Sequence, residues 1–447
     1  MPTTETAAPA LDLTRIRSQF PSLHQTVNGQ PAVFFDGPGG TQVPQRVIDA
    51  IDSYLRSDNA NTGGAYATSR RTDAMIAEAR AAMADFLHCG ADEVAFGPNM
   101  TTLTFSISRA IGRELKPGDE ILLTRLDHDA NFSPWTAMAE DRGVTVRIAE
   151  INDEDCTLNL ADLASKITDK TKLVAVGYAS NAVGTINPVK QVVQLAHKVG
   201  ALAYIDAVHY APHGLIDVAA IDCDFLACST YKFFGPHMGA LYGKREHLKR
   251  FRPYKVRPNT NAIPNCWELG TLLHESIAGI TACVEYIAEI GRGLTNGFPS
   301  MRAPDPSRFS KGENNAAGTS DVSERRTAIE SAYAAIHQHE RVLLERMMTG
   351  LKQIPGAKIF GITDPARFDD RCATFAVRIE GHTPLELATK LGDRGFFTWD
   401  GNYYALNLTE HLGVEKLGGF LRIGLVHYNT LGEVDRLLAA LGEIVGA

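Results

Sequence analysis

Lys232 stands in Ser229-Thr230-Tyr231-Lys232-Phe233-Phe234-Gly235-Pro236, and upstream of it Asp206 closes an apolar run. A lysine amine and a carboxylate one strand apart meet the needs of pyridoxal phosphate. The amine condenses with the cofactor aldehyde as a Schiff base, and the carboxylate keeps the pyridine nitrogen protonated. This pairing predicts an enzyme whose chemistry starts at the α-carbon of an amino acid. A lone lysine more often merely caps a loop, so its neighbours decide.

Those neighbours suit the same cofactor. A phosphate dianion asks for backbone N–H groups at a helix start and for hydroxyls. Pro98-Asn99-Met100-Thr101-Thr102 follows a strand pattern and opens a helical one, so Met100 and Thr101 are expected phosphate contacts. Ser229 and Tyr231 add hydroxyls beside Lys232. His128, between Asp127 and Asp129, is placed to lie flat on a pyridine ring. Asn181, in Asn-Ala-Val-Gly, suits a ring hydroxyl or a substrate carboxylate, and His209 follows Asp206 by one turn. Taken singly these are a helix cap, a surface histidine and a turn asparagine. Taken in order, each just past a predicted strand, they form a specific pattern.

The strands that must position them are read at Val94–Gly97, Glu120–Thr124, 144–149, 173–178, Leu202–Asp206, 224–228 and 239–242. Several are unbroken apolar runs, as expected of strands covered on both faces. Helical patterns at 102–113, 159–166 and 189–199 lie between them. The alternation predicts an α/β fold with a mostly parallel seven-stranded sheet, and ligands in such sheets bind at the carboxyl ends of the strands. Residues 36–290 form the expected large domain, with a polar excursion rich in Gly, Pro and Ser over 291–325 read as a surface loop. Residues 326–447 form a smaller α+β domain: helix 326–354, strand 374–379, helix 384–394, strand 421–425, helix 431–444. Residues 1–35 are expected to pack on that smaller domain.

The 447 residues carry 44% hydrophobic and 21% charged side chains and a net charge of −8. That charge argues against nucleic acid or an anionic membrane as partner. No apolar stretch reaches the ~20 residues of a membrane span. The N-terminus lacks the basic and apolar regions of a secretory signal, so a cytoplasmic location is expected. The seven cysteines are scattered and read as reduced thiols. No metal site is expected, because Cys223 and Cys228 lack the spacing and the histidine company of a zinc cluster.

The ordered set resembles the class V aminotransferases, fold type I pyridoxal phosphate enzymes, and within them the cysteine desulfurase and selenocysteine lyase branch. The resemblance runs from Phe34-Phe35-Asp36 to Tyr428-Asn429-Thr430. It implies Lys232 as the Schiff-base lysine, Asp206 as partner of the pyridine nitrogen and His128 as the stacked histidine. It implies His209 near the ring oxygen, and Asn181, Thr101 and Ser229 as cofactor contacts. Tyr231 stands where desulfurases usually carry histidine. Glu268-Leu269-Gly270-Thr271 resembles a family segment whose threonine reaches the phosphate in the partner subunit, which implies a homodimer with shared active sites. Arg422 matches the arginine that grips the substrate α-carboxylate, a role suited to a planar guanidinium.

One segment departs from the family pattern. Desulfurases accept sulfur on a cysteine in an Arg-x-Gly-His-His-Cys-Ala-like loop. The matching stretch here is Trp399-Asp400-Gly401-Asn402-Tyr403-Tyr404-Ala405, with Tyr404 at the cysteine position. A phenol cannot carry a persulfide, whereas a thiolate can. The expected activity is therefore β-elimination at C–S or C–Se of a small amino-acid substrate, through a Schiff base and a quinonoid. Lys232, His128 and Tyr404 are the expected catalytic residues, and Trp399 joins Arg422 and Asn181 as a substrate contact. Aminotransferase and epimerase activities are alternatives on the same scaffold. A non-catalytic accessory protein is the alternative of another class.

Overall fold

The computed structural model describes residues 10–296 and 323–446. Its centre is a seven-stranded sheet of β1 (Val94–Gly97), β2 (Glu120–Thr124), β3 (Thr145–Ala149), β4 (Thr171–Gly177), β5 (Leu202–Asp206), β6 (Phe225–Ser229) and β7 (Gly239–Gly243). The spatial order is β1-β7-β6-β5-β4-β2-β3. Only β7 runs against the rest, pairing antiparallel with both β6 and β1. The mostly parallel sheet expected from the alternating pattern is thus present, with strand limits within a residue or two.

Period-two geometry explains why these strands read as solid apolar runs. Leu122, Val174, Val176, Ile205 and Leu226 point into one apolar layer, and Ile121, Leu123, Leu173, Ala175 and Phe225 into the other. Consecutive strand residues face opposite sides, so a strand covered twice must be apolar at every position.

A second sheet of β8 (Ala357–Phe360), β9 (Thr374–Ile379), β10 (Trp399–Gly401) and β11 (Phe420–Gly424) is ordered β8-β9-β11-β10. Phe375, Val377, Leu421 and Ile423 pack on one face with residues of the flanking helices. Ala376 and Phe420 pack on the other with Leu126, Ala182, Val183 and Tyr403. That second face seats the small sheet on the loops that leave β2 and β4.

Two expectations need correction. Helices α1 (His274–Asn296) and α2 (Glu324–Leu351) occupy both ends of the 291–325 segment read as a loop; the rest of it lies outside the described residues. Gly291 marks a close helix crossing: a Cβ there would lie 1.8 Å from the Ala328 carbonyl oxygen. Arg325 is drawn into α2 by Glu78, Asp85 and Glu285. The N-terminal segment also divides its contacts. Val33–Phe34 pairs with Phe396–Phe397 beside the small sheet, whereas Ile16, Phe20 and Leu23 bury in the apolar layer of the large one.

Candidate active site

The carboxyl ends of β1, β2, β4, β5 and β6 converge on one cavity. Its lining includes Met100, Thr101, His128, Asn181, Asp206, His209, Ser229, Tyr231 and Lys232. Nine of the residues singled out in the sequence therefore meet in one place. Arg422, Tyr404, Trp399 and Thr271 lie outside this lining.

After β1 the chain turns directly into the helix Met100–Gly112. Asn99 caps it, its side-chain oxygen accepting from Thr102 N–H at 2.8 Å. The Met100 N–H donates to Ser229 Oγ at 3.0 Å, which ties this helix start to the end of β6. Gly239 allows the approach, since a Cβ there would stand 2.5 Å from the Asn99 carbonyl carbon. First-turn N–H groups and two hydroxyls thus share one corner, a fitting place for a phosphate.

Asp206 ends β5 with Oδ1 accepting from Val208 N–H at 2.9 Å. Burial raises its carboxyl to about 6. Asp127 is its neighbour: Thr124 Oγ1 donates to it at 2.9 Å and Gly177 N–H at 2.5 Å. Burial, with Asp206 nearby, lifts Asp127 to about 7. Such carboxylates are costly to bury without a cation, and a protonated ring nitrogen is such a cation.

His128 Nδ1 accepts from Ala130 N–H at 3.0 Å, which fixes the ring and leaves Nε2 as the protonated nitrogen of the neutral form. Burial, aided by Lys232 and Arg422, lowers its pKa to about 4, so it is neutral at physiological pH. Lys232 follows β6 in a short 3₁₀ turn, and its Nζ donates to the carbonyls of Pro38 (2.6 Å) and Gly39 (3.0 Å). Burial, then Arg422, brings the amine down to about 7. A lysine so tuned is available as a free base near neutrality.

Arg422, on β11, reaches the rim: Nη1 donates to the Asn181 carbonyl at 3.0 Å, and the guanidinium lies 4.1 Å over the Tyr403 ring. Arg422 Nε and Asn181 Oδ1 are buried without partners. An unpaired donor and acceptor at one rim suit a ligand with both a carboxylate and a donor group. Sequence reasoning passed over Asp36, a buried carboxyl raised to about 6 by burial and influenced by Arg422 and Lys232. Its end-of-strand position was the available signal. Tyr403 was read only as part of the 399–405 stretch and given no contact. Its hydroxyl instead donates to the Phe420 and Trp399 carbonyls and its ring underlies Arg422.

The 402–405 turn holds two consecutive non-glycine residues in the left-handed region, Tyr403 at φ 57° and Tyr404 at φ 60°. Such backbone costs on the order of 1 kcal/mol or more per residue and persists where surroundings hold it. Here Asn181 Nδ2 donates to the Tyr403 carbonyl (2.8 Å) and Asp129 N–H to the Tyr404 carbonyl (2.7 Å). The outcome sends Tyr403 inward and Tyr404 outward over His128. Trp399, half-exposed, abuts Gly39, where a Cβ would stand 2.6 Å from the indole nitrogen. Thr271 is exposed.

This assembly defines a fold type I pyridoxal phosphate enzyme. The aminotransferase class-V family model matches residues 33–294 and 300–437, and the chain belongs to that family. Within it the chain falls in the cysteine desulfurase-like branch. It is 31% identical over 435 residues to a cysteine desulfurase of Dickeya dadantii, covering 96% of each chain. A Synechococcus elongatus cysteine desulfurase is also 31% identical, over 98% of this chain and 64% of its own. The apo structure of a Thermococcus onnurineus cysteine desulfurase superposes with a TM-score of 0.81 at 25% identity, covering 99% of this chain and all of the other. Members of the family use pyridoxal phosphate, and the corner, the buried carboxylates and the depressed lysine fit it. Among the described residues no helix is long and apolar enough to cross a membrane.

Proposed function

We propose that the protein is a β-lyase that cleaves the C–S or C–Se bond of a cysteine-derived amino acid and forms no persulfide on itself. The observation that carries this reading is Tyr404. The resemblance read in the sequence puts it at the position of the sulfur-accepting cysteine, and its ring lies against His128. None of the seven cysteines lines the cavity.

Bound pyridoxal phosphate supplies the sink for the electron pair left at Cα. Arg422 takes the substrate carboxylate and Asn181 Oδ1 accepts from a donor beside it, so the Cα–H bond is set in one direction. Lys232, its amine brought down to about 7, removes that proton. Asp206 in its anionic form holds the proton on the ring nitrogen, and neutral His128 covers the ring. The β-carbon–sulfur bond then breaks with its pair on sulfur, which leaves protonated as sulfide. This needs a leaving group but no acceptor residue, consistent with a tyrosine at position 404.

The proposal includes a homodimer. Thr271 is exposed and outside the cavity of its own chain, as suits a residue that serves the neighbouring subunit. Seven free cysteines suit a reducing cytoplasm.

The test is product analysis of holoenzyme with cysteine and selenocysteine. Sulfide or selenide with pyruvate supports the lyase. Pyridoxamine phosphate assigns transamination, solvent deuterium at Cα in both enantiomers assigns epimerisation, and persulfide on any protein cysteine overturns the reading.

A further inference from the structure

Beside His209 lies a cluster whose other members, His213 and Cys372, line a separate cavity and take no part in the mechanism. We propose that His209, His213 and Cys372 form a site for a borderline-soft divalent cation of the zinc class, with Glu340 orienting His213 from behind. The ligand atoms of the three residues lie within 4.8 Å of one another, and all three residues are buried. Tetrahedral Zn–N and Zn–S bonds of about 2.0 and 2.3 Å place such atoms roughly 3.5 Å apart, so binding draws the cluster together by roughly 1 Å.

Independent support comes from His213. Its Nδ1 is engaged by Glu340 Oε2 at 2.7 Å, the carboxylate–imidazole arrangement that fixes a ligating histidine. Its Nε2 is buried with no hydrogen-bond partner. A buried ring nitrogen without a partner is costly, and a cation would satisfy it. His209 arrives edge-on, ring centroids 5.1 Å apart, and its Nε2 already faces Thr374 Oγ1 at 3.1 Å, two residues from Cys372.

Charge also balances. A dication against the Cys372 thiolate and the Glu340 carboxylate leaves no net charge. The nearby Arg371 guanidinium is occupied by the carbonyls of Ile362, Val183 and Thr374 and lies over Phe375. A cavity of about 390 Å³, lined by Tyr210, His213, Glu340 and Cys372, adjoins the cluster and leaves room for water as a fourth ligand. Binding displaces the Cys372 thiol proton to solvent, with no change of oxidation state. Because His209 also lines the cofactor cavity, the cation would lock that ring's orientation one imidazole away from the cofactor. The site does not depend on the lyase reading.

Holoenzyme purified without a metal-affinity column, then equilibrated with zinc and gel-filtered, should carry one zinc per chain by elemental analysis. Cys372→Ser and His213→Gln should abolish that stoichiometry, and Glu340→Gln should weaken zinc binding roughly 10–100-fold. Cys156→Ala, another buried cysteine, should leave it intact. Cofactor absorbance and circular dichroism show that each variant is folded, and Cys372→Ser serves where His213→Gln does not fold. Sub-stoichiometric zinc in the parent, or full binding by folded Cys372→Ser, overturns the proposal.

Discussion

Tyr404 lies against the imidazole of His128, ring centroids 5.5 Å apart and planes 29° from parallel. The Tyr404 ring therefore extends a stack on a histidine that lines the cavity.

Tyr404→Cys should restore a sulfur acceptor in that position. Peptide mass spectrometry after cysteine treatment should find persulfide on residue 404 of the variant and on none of the seven native cysteines of the parent. Persulfide in the parent would refute the assignment.

Lys232→Ala should abolish the near-visible absorbance of the internally linked cofactor. Loss of a positioned general base costs on the order of 10²–10⁴-fold in kcat. A variant that keeps both colour and rate would remove Lys232 from the chemistry.

Asp127 and Asp206 set a pH dependence. Both carboxyls are raised on folding, to about 7 and about 6, so the folded chain binds the extra protons. Their contribution to stability is complete below about pH 4 and is lost as pH rises towards 7, amounting to a few kcal/mol for the coupled pair. Buried neutral histidines such as His128 gain stability over the same range, so the aspartate contribution is read as a difference between parent and variant. In chemical denaturation of cofactor-free protein from pH 4 to 7 the parent should lose stability relative to Asp127→Asn, and an identical pH slope in the two would refute the account.

Arg422→Lys keeps the charge but loses the fork and the stacking on Tyr403. A hydrogen bond to a charged group contributes about 1.5–3 kcal/mol, so KM for the amino acid should rise roughly 10- to 150-fold with a smaller change in kcat. An unchanged KM would place the substrate carboxylate elsewhere.

Most of the cofactor site was legible because it sits at strand ends, and strand ends show as apolar runs stopped by polar residues. Asp206 ends such a run, and Lys232 follows another within one turn. Arg422 was legible only through family resemblance, since nothing local tells a buried guanidinium on β11 from a surface one. The cluster of His209, His213 and Cys372 was illegible because β9 brings Cys372 to the histidines from far along the chain. The helical start of the 291–325 segment was illegible for a comparable reason: the Ala328 carbonyl that requires a glycine at 291 belongs to another helix.

The turn carrying Tyr403 and Tyr404 is riveted at two points, Asn181 on the loop after β4 and Asp129 on the loop after β2. These bonds add to the apolar layer of Leu126, Ala182, Val183 and Phe420 and to the Cys372–Gly184 and Ile186–Asp370 backbone bonds, which also hold the small sheet on the large one. Because both bonds end on the two tyrosine carbonyls, the same pair that seats this turn also keeps the Tyr404 ring against His128. Freeing the turn and baring the histidine are then one event, local to the turn.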